Sequence, residues 1–369
     1  MKIGILISFI CNFGEKGFYN SQEIGLAKAL AKTFEKVTII KLLSSDKQGY
    51  CETLGKDNNI EIKAIPCKSY GINGIVDTKM LDTSLDALIY FSDTQFALPK
   101  VYKWTKKHNI KFLPYIGVTE SHSTSRLKRL VVNFLFNRNI KVYKKCRCFA
   151  KTPHVKTALH SLGVKQVEVA PVGLDLELLK TDYAGSDVIA LKKKYGYNAE
   201  DKILLFIGRF IQEKEPLRML DIYKKAAEKD KSCKLLMVGT GELELAVREA
   251  VNNLAVCDKV QIIDKIPNSD IWELYRIAHA FVNLNQQEIF GMAILEAMYY
   301  GCKVVACKAP GPDYIINNGE DGCIATTDDE ITDAIANKQI DAEKSHQRIV
   351  QAFTWANTAK LFCKGINNS

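Results

Sequence analysis

Residues 281–325 read FVNLNQQEIFGMAILEAMYYGCKVVACKAPGPDYIINNGEDGCIA, and this stretch decides the fold. Two apolar runs, residues 281–284 and 303–307, have the composition of strands and flank a loop and a short helix-forming segment. Glu288 lies in the loop, and Glu296 lies eight residues later in the predicted helix. The stretch therefore predicts a strand, an acidic loop, a helix and a second strand in succession.

Gly291 lies between the two glutamates, at the point where the loop would turn into the helix. A helix N-terminus offers unpaired N–H groups and a partial positive charge, which together suit a phosphate. A carboxylate on each side of that anion site can accept hydrogen bonds from hydroxyl groups. One carboxylate would bind the hydroxyls of a sugar and the other those of a ribose. Two glutamates at this spacing also occur as solvated helix residues. With support elsewhere in the chain, the pattern predicts a site for a sugar joined to a nucleoside diphosphate.

Composition and length restrict the class of protein. The chain has 369 residues, enough for two domains, with 47% hydrophobic and 25% charged residues, as is typical of soluble globular proteins. Its 11 cysteines are odd in number, often lie in apolar runs and form no C-x-x-C pair, which favours a reducing cytoplasm. Neither these cysteines nor the six histidines have metal-ligand spacing, so we expect no metal. Residues 1–11 are interpreted as a first strand rather than a signal peptide.

The N-terminal half alternates between strand and helix patterns. Residues 3–9 predict a buried strand, residues 21–35 a helix and residues 37–42 the next strand, as at the start of a doubly wound α/β domain. Asn20 is predicted to cap the helix, with Glu23 as its capping-box partner. Further strands are predicted at 60–65, 86–91 and 110–116, with a helix at 96–108 before the last.

The C-terminal half repeats this alternation. Strands are predicted at 203–207, 234–238 and 259–263, and a helix at 217–229. The polar residues 180–201 are interpreted as a connecting segment. We therefore expect two α/β domains of the doubly wound type.

Two cations follow the strand at 203–207. Arg209 comes directly after Gly208, and Lys214 follows five residues later. Isolated cations at such places are usually solvated. Two fixed cations can nevertheless stabilise a diphosphate leaving group, whose charge grows as the sugar bond breaks, without a metal.

Together these motifs resemble a known family. E-x7-E, then EAM-x2-G-x-x-VVA, Gly311, NGEDGC and the G-R-x-x-x-x-K pattern resemble the donor site of retaining glycosyltransferases of family 4. The resemblance implies the GT-B fold, an α/β fold of two Rossmann-like doubly wound domains facing across a cleft. It places an acceptor-side domain at 1–178 and a nucleotide-sugar domain at 179–349, with a last helix at about 350–369 packing back on the first domain.

The resemblance also implies roles for individual residues. Arg209 and Lys214 would hold the donor diphosphate, Glu288 the hydroxyls of the transferred sugar and Glu296 those of the ribose, while His122 would face the donor sugar. The catalytic set is Glu288, Arg209, Lys214 and His122. The implied substrate-binding set is Gly17, Gly239, Gly241, Lys265, Ile266, Ile289, Phe290, Gly291, Met292 and Glu296. Gly17 matches the first glycine of a family pair, whereas Phe18 replaces the second.

The implied activity is a metal-independent transfer, with retention of configuration, from a UDP-sugar or GDP-sugar to a glycan or lipid-linked acceptor. No cofactor is expected. Cell-envelope or capsular polysaccharide synthesis is the expected setting. Two alternatives are a nucleotide-sugar epimerase of the same fold and a non-catalytic partner subunit that binds a glycan.

The net charge of +9 is local in origin. Residues 121–167 contain 11 Lys or Arg and no acidic residue, while the rest of the chain has 40 bases and 42 acids. Within 125–147 a predicted helix carries apolar residues on one face, namely Leu127, Leu130, Val131, Phe134 and Leu135. An ordinary helix with a solvated basic face and a surface for the anionic inner face of a membrane both stay open. Nucleic acid is disfavoured, because stacking aromatics are not interleaved with the cations.

Overall fold

The computed structural model describes residues 1–10, 21–55, 59–92, 95–119, 126–254 and 257–367, apart from the side chains of Leu127 and Lys128. The chain divides into two compact units. The first contains the described residues up to Gly173 together with those from Trp355 onward, and the second runs from Leu174 to Thr354.

The strands and helices are numbered here in chain order. The strands are β1 (Lys2–Ile10), β2 (Lys36–Ser44), β3 (Tyr50–Leu54), β4 (Ile60–Cys67), β5 (Ser69–Tyr70), β6 (Asn73–Gly74), β7 (Ala87–Ser92), β8 (Lys111–Ile116), β9 (Cys148–Ala150), β10 (Val167–Val169), β11 (Lys202–Ile207), β12 (Cys233–Val238), β13 (Val260–Ile263), β14 (Ala278–Asn283), β15 (Val304–Cys307) and β16 (Cys323–Ala325). The helices are α1 (Gln22–Ala31), α2 (Leu98–Lys107), α3 (Arg126–Tyr143), α4 (Pro153–Ser161), α5 (Val188–Lys194), α6 (Pro216–Lys229), α7 (Glu244–Asn252), α8 (Ile271–Ile277), α9 (Met292–Tyr299), α10 (Pro312–Ile315), α11 (Asp328–Asn337), α12 (Ala342–Ala352) and α13 (Trp355–Asn367).

The sheet of the first unit has the strand order β10-β9-β8-β7-β1-β2-β4-β3. Its strands are parallel except β3, which is antiparallel to β4, and the short β5–β6 hairpin pairs with the end of β1. Strands β1, β2 and β7 are almost continuously buried, as expected where helices cover both faces of a parallel sheet. The order reverses beside β1, which is the mark of a doubly wound sheet.

The sheet of the second unit is wholly parallel, in the order β13-β12-β11-β14-β15-β16. The chain winds outward from β11 to β13, returns to β14 beside β11, and continues outward on the other side. The loops after β11 and β14 therefore adjoin the switch point, where such sheets bind ligands. The predicted fold class of two Rossmann-like doubly wound α/β domains is confirmed.

The predicted cap of α1 is wrong. Asn20 lies outside the described residues, and Ser21 is the N-cap, its Oγ accepting a hydrogen bond from the Ile24 backbone at 3.4 Å. Glu23 points inward and forms an ion pair with Lys41 of β2 at 2.7 Å, with both side chains at most 5% exposed. Leaving a buried carboxylate unpaired costs more free energy than leaving the helix without a capping box. Glu23 therefore pairs with Lys41 instead of capping α1.

The interpretation of residues 180–201 as a connecting segment is also wrong. The segment belongs to the second unit and contains α5, whose N-cap Asp187 accepts hydrogen bonds from the first turn. Lys194 and the Tyr195 hydroxyl each donate to Glu273 of α8 at 2.6 Å. The polar residues that suggested a linker thus tie this segment to the unit that follows it.

The C-terminal helix α13 packs against α1 within the first unit. Trp355 is 4% exposed, and a Cβ atom placed on Gly25 of α1 would lie 2.2 Å from its indole nitrogen. Thr358 adds a hydrogen bond from its hydroxyl to the Pro171 carbonyl at 2.5 Å. Among the residues described, no helix combines the length and the apolar content that crossing a bilayer requires.

The contact between Gly25 and Trp355 is testable. We expect Gly25→Ala to destabilise the protein by about 1–3 kcal/mol, because a buried indole ring cannot move aside for the new methyl group. Gly185→Ala is the matched control, since a Cβ there meets nothing within 4 Å. Calorimetric unfolding should show a lower Tm for Gly25→Ala only, and equal Tm values for the two variants would contradict the packing described here.

Candidate functional site

The candidate site lies in the second unit, at the carboxyl ends of β11, β12 and β14. Each of these strands is followed by a loop that carries residues singled out from the sequence. Because the strands are parallel, their carboxyl ends meet at one edge of the sheet. That edge includes the switch point between β11 and β14.

Lys214 and Glu288 meet at this edge. The Lys214 ammonium lies 2.5 Å from Glu288 Oε2, although the two residues are 74 positions apart in the chain. Their side chains are 27% and 14% exposed, so the pair is largely shielded from water. The amide nitrogens of Asn283 and Asn285 lie 3.5 and 3.3 Å from the same oxygen. Sequence reasoning missed both asparagines, because neutral amides carry no charge signal; their place just before Glu288 was the available clue.

Arg209 lies in the same loop as Lys214, directly after β11. Its side chain is exposed, and among the described residues it makes no hydrogen bond or ion pair. A solvated guanidinium at this position is available to an incoming anion. The structure thus places one paired and one exposed cation on the loop after β11.

The turn that carries Lys214 ends in an unusual backbone conformation. Glu215 has φ 52° and ψ 49°, a left-handed conformation that costs energy for any residue other than glycine. Arg218 holds this residue by donating to its carboxylate at 2.6 Å, and also donates to Asp328 at 2.9 Å. Partial burial lowers the pKa of Arg218, but the hydrogen bonds to Glu215 and Asp328 outweigh this effect and raise the pKa above its usual value. Pro216 then begins α6. The turn is therefore fixed before any ligand binds.

Gly239 and Gly241, predicted to approach a ligand, have a packing role in the structure. A Cβ on Gly239 would lie 1.9 Å from the Gly208 carbonyl oxygen, and one on Gly241 would lie 2.4 Å from that of Phe210. Phe210 also donates its backbone N–H to the Thr240 carbonyl at 2.8 Å. These glycines let the loop after β12 press against the loop that carries the two cations.

Gly291 is the N-cap of α9 and has φ 100°, a conformation that favours glycine. The helix that starts at Met292 directs its positive end toward the loop of Glu288. Phe290 is 5% exposed and packs edge-on against Phe353, so its side chain belongs to the core. Ile289 is half-buried.

Glu296 is 6% exposed within α9. The hydroxyl of Tyr275, from α8, donates to its Oε2 at 3.0 Å. Burial, together with the charge of Glu296, raises the pKa of Tyr275 well above its usual value. The tyrosine therefore stays neutral and acts as a hydrogen-bond donor that fixes the carboxylate.

The other predicted residues are only partly placed. Lys265 and Ile266 follow β13, which lies two strands from β11, the strand that precedes Lys214. Lys265 is exposed and Ile266 is half-buried. His122 and Gly17 lie outside the described residues. The structure thus brings Lys214 and Glu288 together and places Arg209, Gly291 and Glu296 on adjoining elements.

Comparison with known proteins agrees with this geometry. Residues 187–355 match the family model described as Glycosyl transferases group 1 and form a domain of that kind. The chain is 28% identical over 165 residues to N-acetyl-alpha-D-glucosaminyl L-malate synthase of Bacillus anthracis, covering 45% of this chain and 42% of that protein. It is 22% identical over 213 residues to D-inositol 3-phosphate glycosyltransferase of Mycobacteroides abscessus, covering 55% and 46%. The chain thus spans about half the length of these curated relatives.

A solved structure extends the likeness to the whole chain. The structure of Anabaena HepE in complex with UDP-glucose superimposes with a TM-score of 0.73 at 19% identity, covering 100% of both chains. At this identity the likeness establishes the fold, which is the GT-B fold.

The contact between the loops after β11 and β12 gives a prediction. We expect Gly239→Ala to lower the Tm by several degrees, because its methyl group would collide with a backbone carbonyl that cannot rotate away. Gly208→Ala is the control in the partner loop, since its Cβ would meet only ordinary contacts at 3.8 Å or more. Thermal unfolding of both variants measures the difference. A Gly239→Ala protein as stable as Gly208→Ala would contradict the loop packing.

Proposed function

We propose that this protein is a retaining, metal-independent glycosyltransferase that moves a sugar from a nucleotide-diphosphate sugar to a glycan or lipid-linked acceptor. The observation that carries the proposal is the pairing of Lys214 with Glu288 at the switch point of the second sheet. The family match at residues 187–355 supports it, because the matched region includes both residues.

The donor diphosphate would bind between the loop after β11 and the N-terminus of α9. Arg209 and Lys214 would supply two positive charges, and the first N–H groups of α9 would supply hydrogen bonds. The leaving diphosphate gains charge as the sugar bond breaks, so these groups would stabilise the transition state more than the bound donor.

The ion pair indicates how the site would respond to a donor. A diphosphate that reaches Lys214 competes with Glu288 for the ammonium. Once displaced, the Glu288 carboxylate would accept hydrogen bonds from the hydroxyls of the transferred sugar. Asn283 and Asn285 would keep the carboxylate oriented during this change, because their amides already lie within 3.5 Å of it.

The proposed chemistry proceeds through an oxocarbenium-like transition state. The sugar–phosphate bond breaks, and the departing phosphate accepts the proton of the attacking acceptor hydroxyl on the same face of the sugar. The new bond then keeps the configuration of the old one. Glu288 would not be a covalent nucleophile in this scheme; it would position the sugar.

The choice of donor follows from the structural neighbour. HepE is described with UDP-glucose, so a UDP-sugar is the first donor to test, followed by a GDP-sugar. We place the reaction in the cytoplasm, in the synthesis of a cell-envelope or capsular polysaccharide.

A binding screen followed by a transfer assay tests the proposal. Thermal shift with UDP, GDP and ADP should reveal one stabilising nucleotide, since a ligand at 100 times its Kd stabilises a protein by about 2.7 kcal/mol. The matching donor sugars are then incubated with the protein, and NMR follows released nucleotide and the anomeric configuration of the product. Binding to no nucleoside diphosphate would contradict the proposal, and an inverted product would contradict retention.

Substitution of the ion pair should separate binding from turnover. Lys214→Ala should raise the Kd of the nucleoside diphosphate and lower kcat by about 100-fold, the scale of a lost transition-state contact. Glu288→Gln should lower kcat similarly while the nucleoside diphosphate binds as tightly as before or tighter, because the competitor for Lys214 is gone. Lys225→Ala removes a cation whose ion pair with Asp329 lies at the surface, and should leave both constants unchanged. Weaker nucleotide binding by Glu288→Gln would refute the competition.

Tyr275 gives a further prediction. Tyr275→Phe removes the hydrogen bond to Glu296 and should raise the donor KM several-fold with little change in kcat, because the carboxylate would serve binding rather than bond cleavage. In the background of Glu296→Gln, the same change should have a much smaller effect on KM. Independent, additive effects in this double-mutant cycle would show that Tyr275 does not act through Glu296.

A further inference from the structure

Helix α3 exposes three large apolar side chains. Leu130, Val131 and Phe134 are 67%, 50% and 69% exposed. The helix buries a different face, which includes Phe136 and Ile140. The exposed face of α3 therefore carries large apolar side chains as well as basic ones. Contiguous exposed apolar surface on a folded protein usually marks an interaction site.

Three more exposed apolar residues continue this surface. Phe96 is 48% exposed, and Tyr70 and Ile72, at the β5–β6 hairpin, are 71% and 69% exposed. The Tyr70 and Phe96 rings contact each other edge-on with centroids 6.5 Å apart. The Arg138 guanidinium lies over the Phe96 ring at 4.9 Å, one helical turn beyond Phe134.

Arg138 therefore joins the two groups. We call Leu130, Val131, Phe134, Phe96, Tyr70 and Ile72 the apolar patch. Its members come from a hairpin, a loop and a helix of the first unit.

Positive charge dominates the segment that carries the α3 and Phe96 parts of the apolar patch. Residues 95–167 contain 16 Lys or Arg and a single acidic residue, Glu120. On α3, Arg126, Arg129 and Lys141 are exposed beside the apolar positions. Helix α2, which packs against α3, adds exposed Lys103 and Lys106. The partner of this surface must therefore be apolar at its centre and anionic around it.

Of the candidate partners, an anionic bilayer has this chemistry. A second copy of the chain on the same patch would bring two sets of like charges together, which opposes association. A nucleic acid would match the charge but would leave Leu130, Val131 and Ile72 without apolar partners. A bilayer accepts apolar side chains at the boundary between headgroups and acyl chains, and anionic headgroups attract the surrounding cations.

We propose that the apolar patch and the cations around it dock this protein on an anionic membrane surface. Leu130 and Phe134 enter the boundary between headgroups and acyl chains, with Phe96, Tyr70 and Ile72 beside them. Arg126, Arg129 and Lys141 contact headgroup phosphates. This docking does not depend on the proposed transfer reaction, because all of its residues lie in the first unit and none belongs to the donor site.

Vesicle flotation with the full chain tests the docking. The unaltered protein should bind vesicles of phosphatidylcholine containing about one-third phosphatidylglycerol at least about tenfold more tightly than pure phosphatidylcholine, and high salt should weaken the binding. Leu130→Ser/Phe134→Ser should reduce the binding about tenfold or more. Arg129→Ser/Lys141→Ser should reduce it by roughly fivefold per charge at low salt.

Leu245→Ser is the matched control, because Leu245 on α7 of the second unit is 78% exposed without belonging to the apolar patch. It should bind vesicles as the unaltered protein does. Each variant should keep the unaltered Tm and the same thermal shift with a nucleoside diphosphate, so that a failed donor site is distinguished from failed docking. Absence of vesicle binding, or equal affinity for neutral vesicles, would overturn the proposal. So would sedimentation showing a dimer that Leu130→Ser/Phe134→Ser dissociates.

Discussion

The ion pair between Lys214 and Glu288 depends on the topology of the second sheet. These residues are 74 positions apart, and they meet because β14 returns to pair with β11 after the chain has wound out to β13. A doubly wound sheet has one such point of reversal, and the loops on either side of it converge. The site chemistry thus follows from strand order, since a different order would separate the ammonium and the carboxylate along the same edge of the sheet.

Convergence alone would not hold the lysine in place. The loop that carries this lysine packs through Gly208 against Gly239 of the loop after β12. The same loop ends at Glu215, whose left-handed backbone is stabilised by the hydrogen bond and ion pair with the half-buried Arg218. The Arg218 guanidinium also pairs with Asp328. Fixing the cation before a ligand arrives reduces the reorganisation that binding requires, which is the physical basis of electrostatic catalysis.

The sequence was sufficient for the fold because its signals are local. Continuous apolar runs predicted the buried strands of both sheets, and the helix predicted at 217–229 corresponds to α6, Pro216–Lys229. Side-chain contacts between residues distant in sequence could not be predicted. Glu23 looked like a capping residue because nothing near it in sequence reveals Lys41, and Tyr275 gave no hint that it would contact Glu296. Similarly, the periodicity of α3 identified an apolar face, but periodicity cannot say whether a neighbouring element covers that face.

Charge separates the chain into two parts with different requirements. Residues 95–167 are strongly basic, whereas the remainder has 35 Lys or Arg and 41 Asp or Glu. A donor site for a diphosphate needs a few fixed cations among compensating acids, and Lys214 and Arg218 have such partners. A surface that meets many anions at once needs cations without local acids, because internal ion pairs would have to break on contact. The exposed Arg129 and Lys141 satisfy that condition, since residues 121–167 contain no acidic residue to compete for them. The two kinds of basic site therefore differ in whether their counter-charge comes from the protein or from the partner.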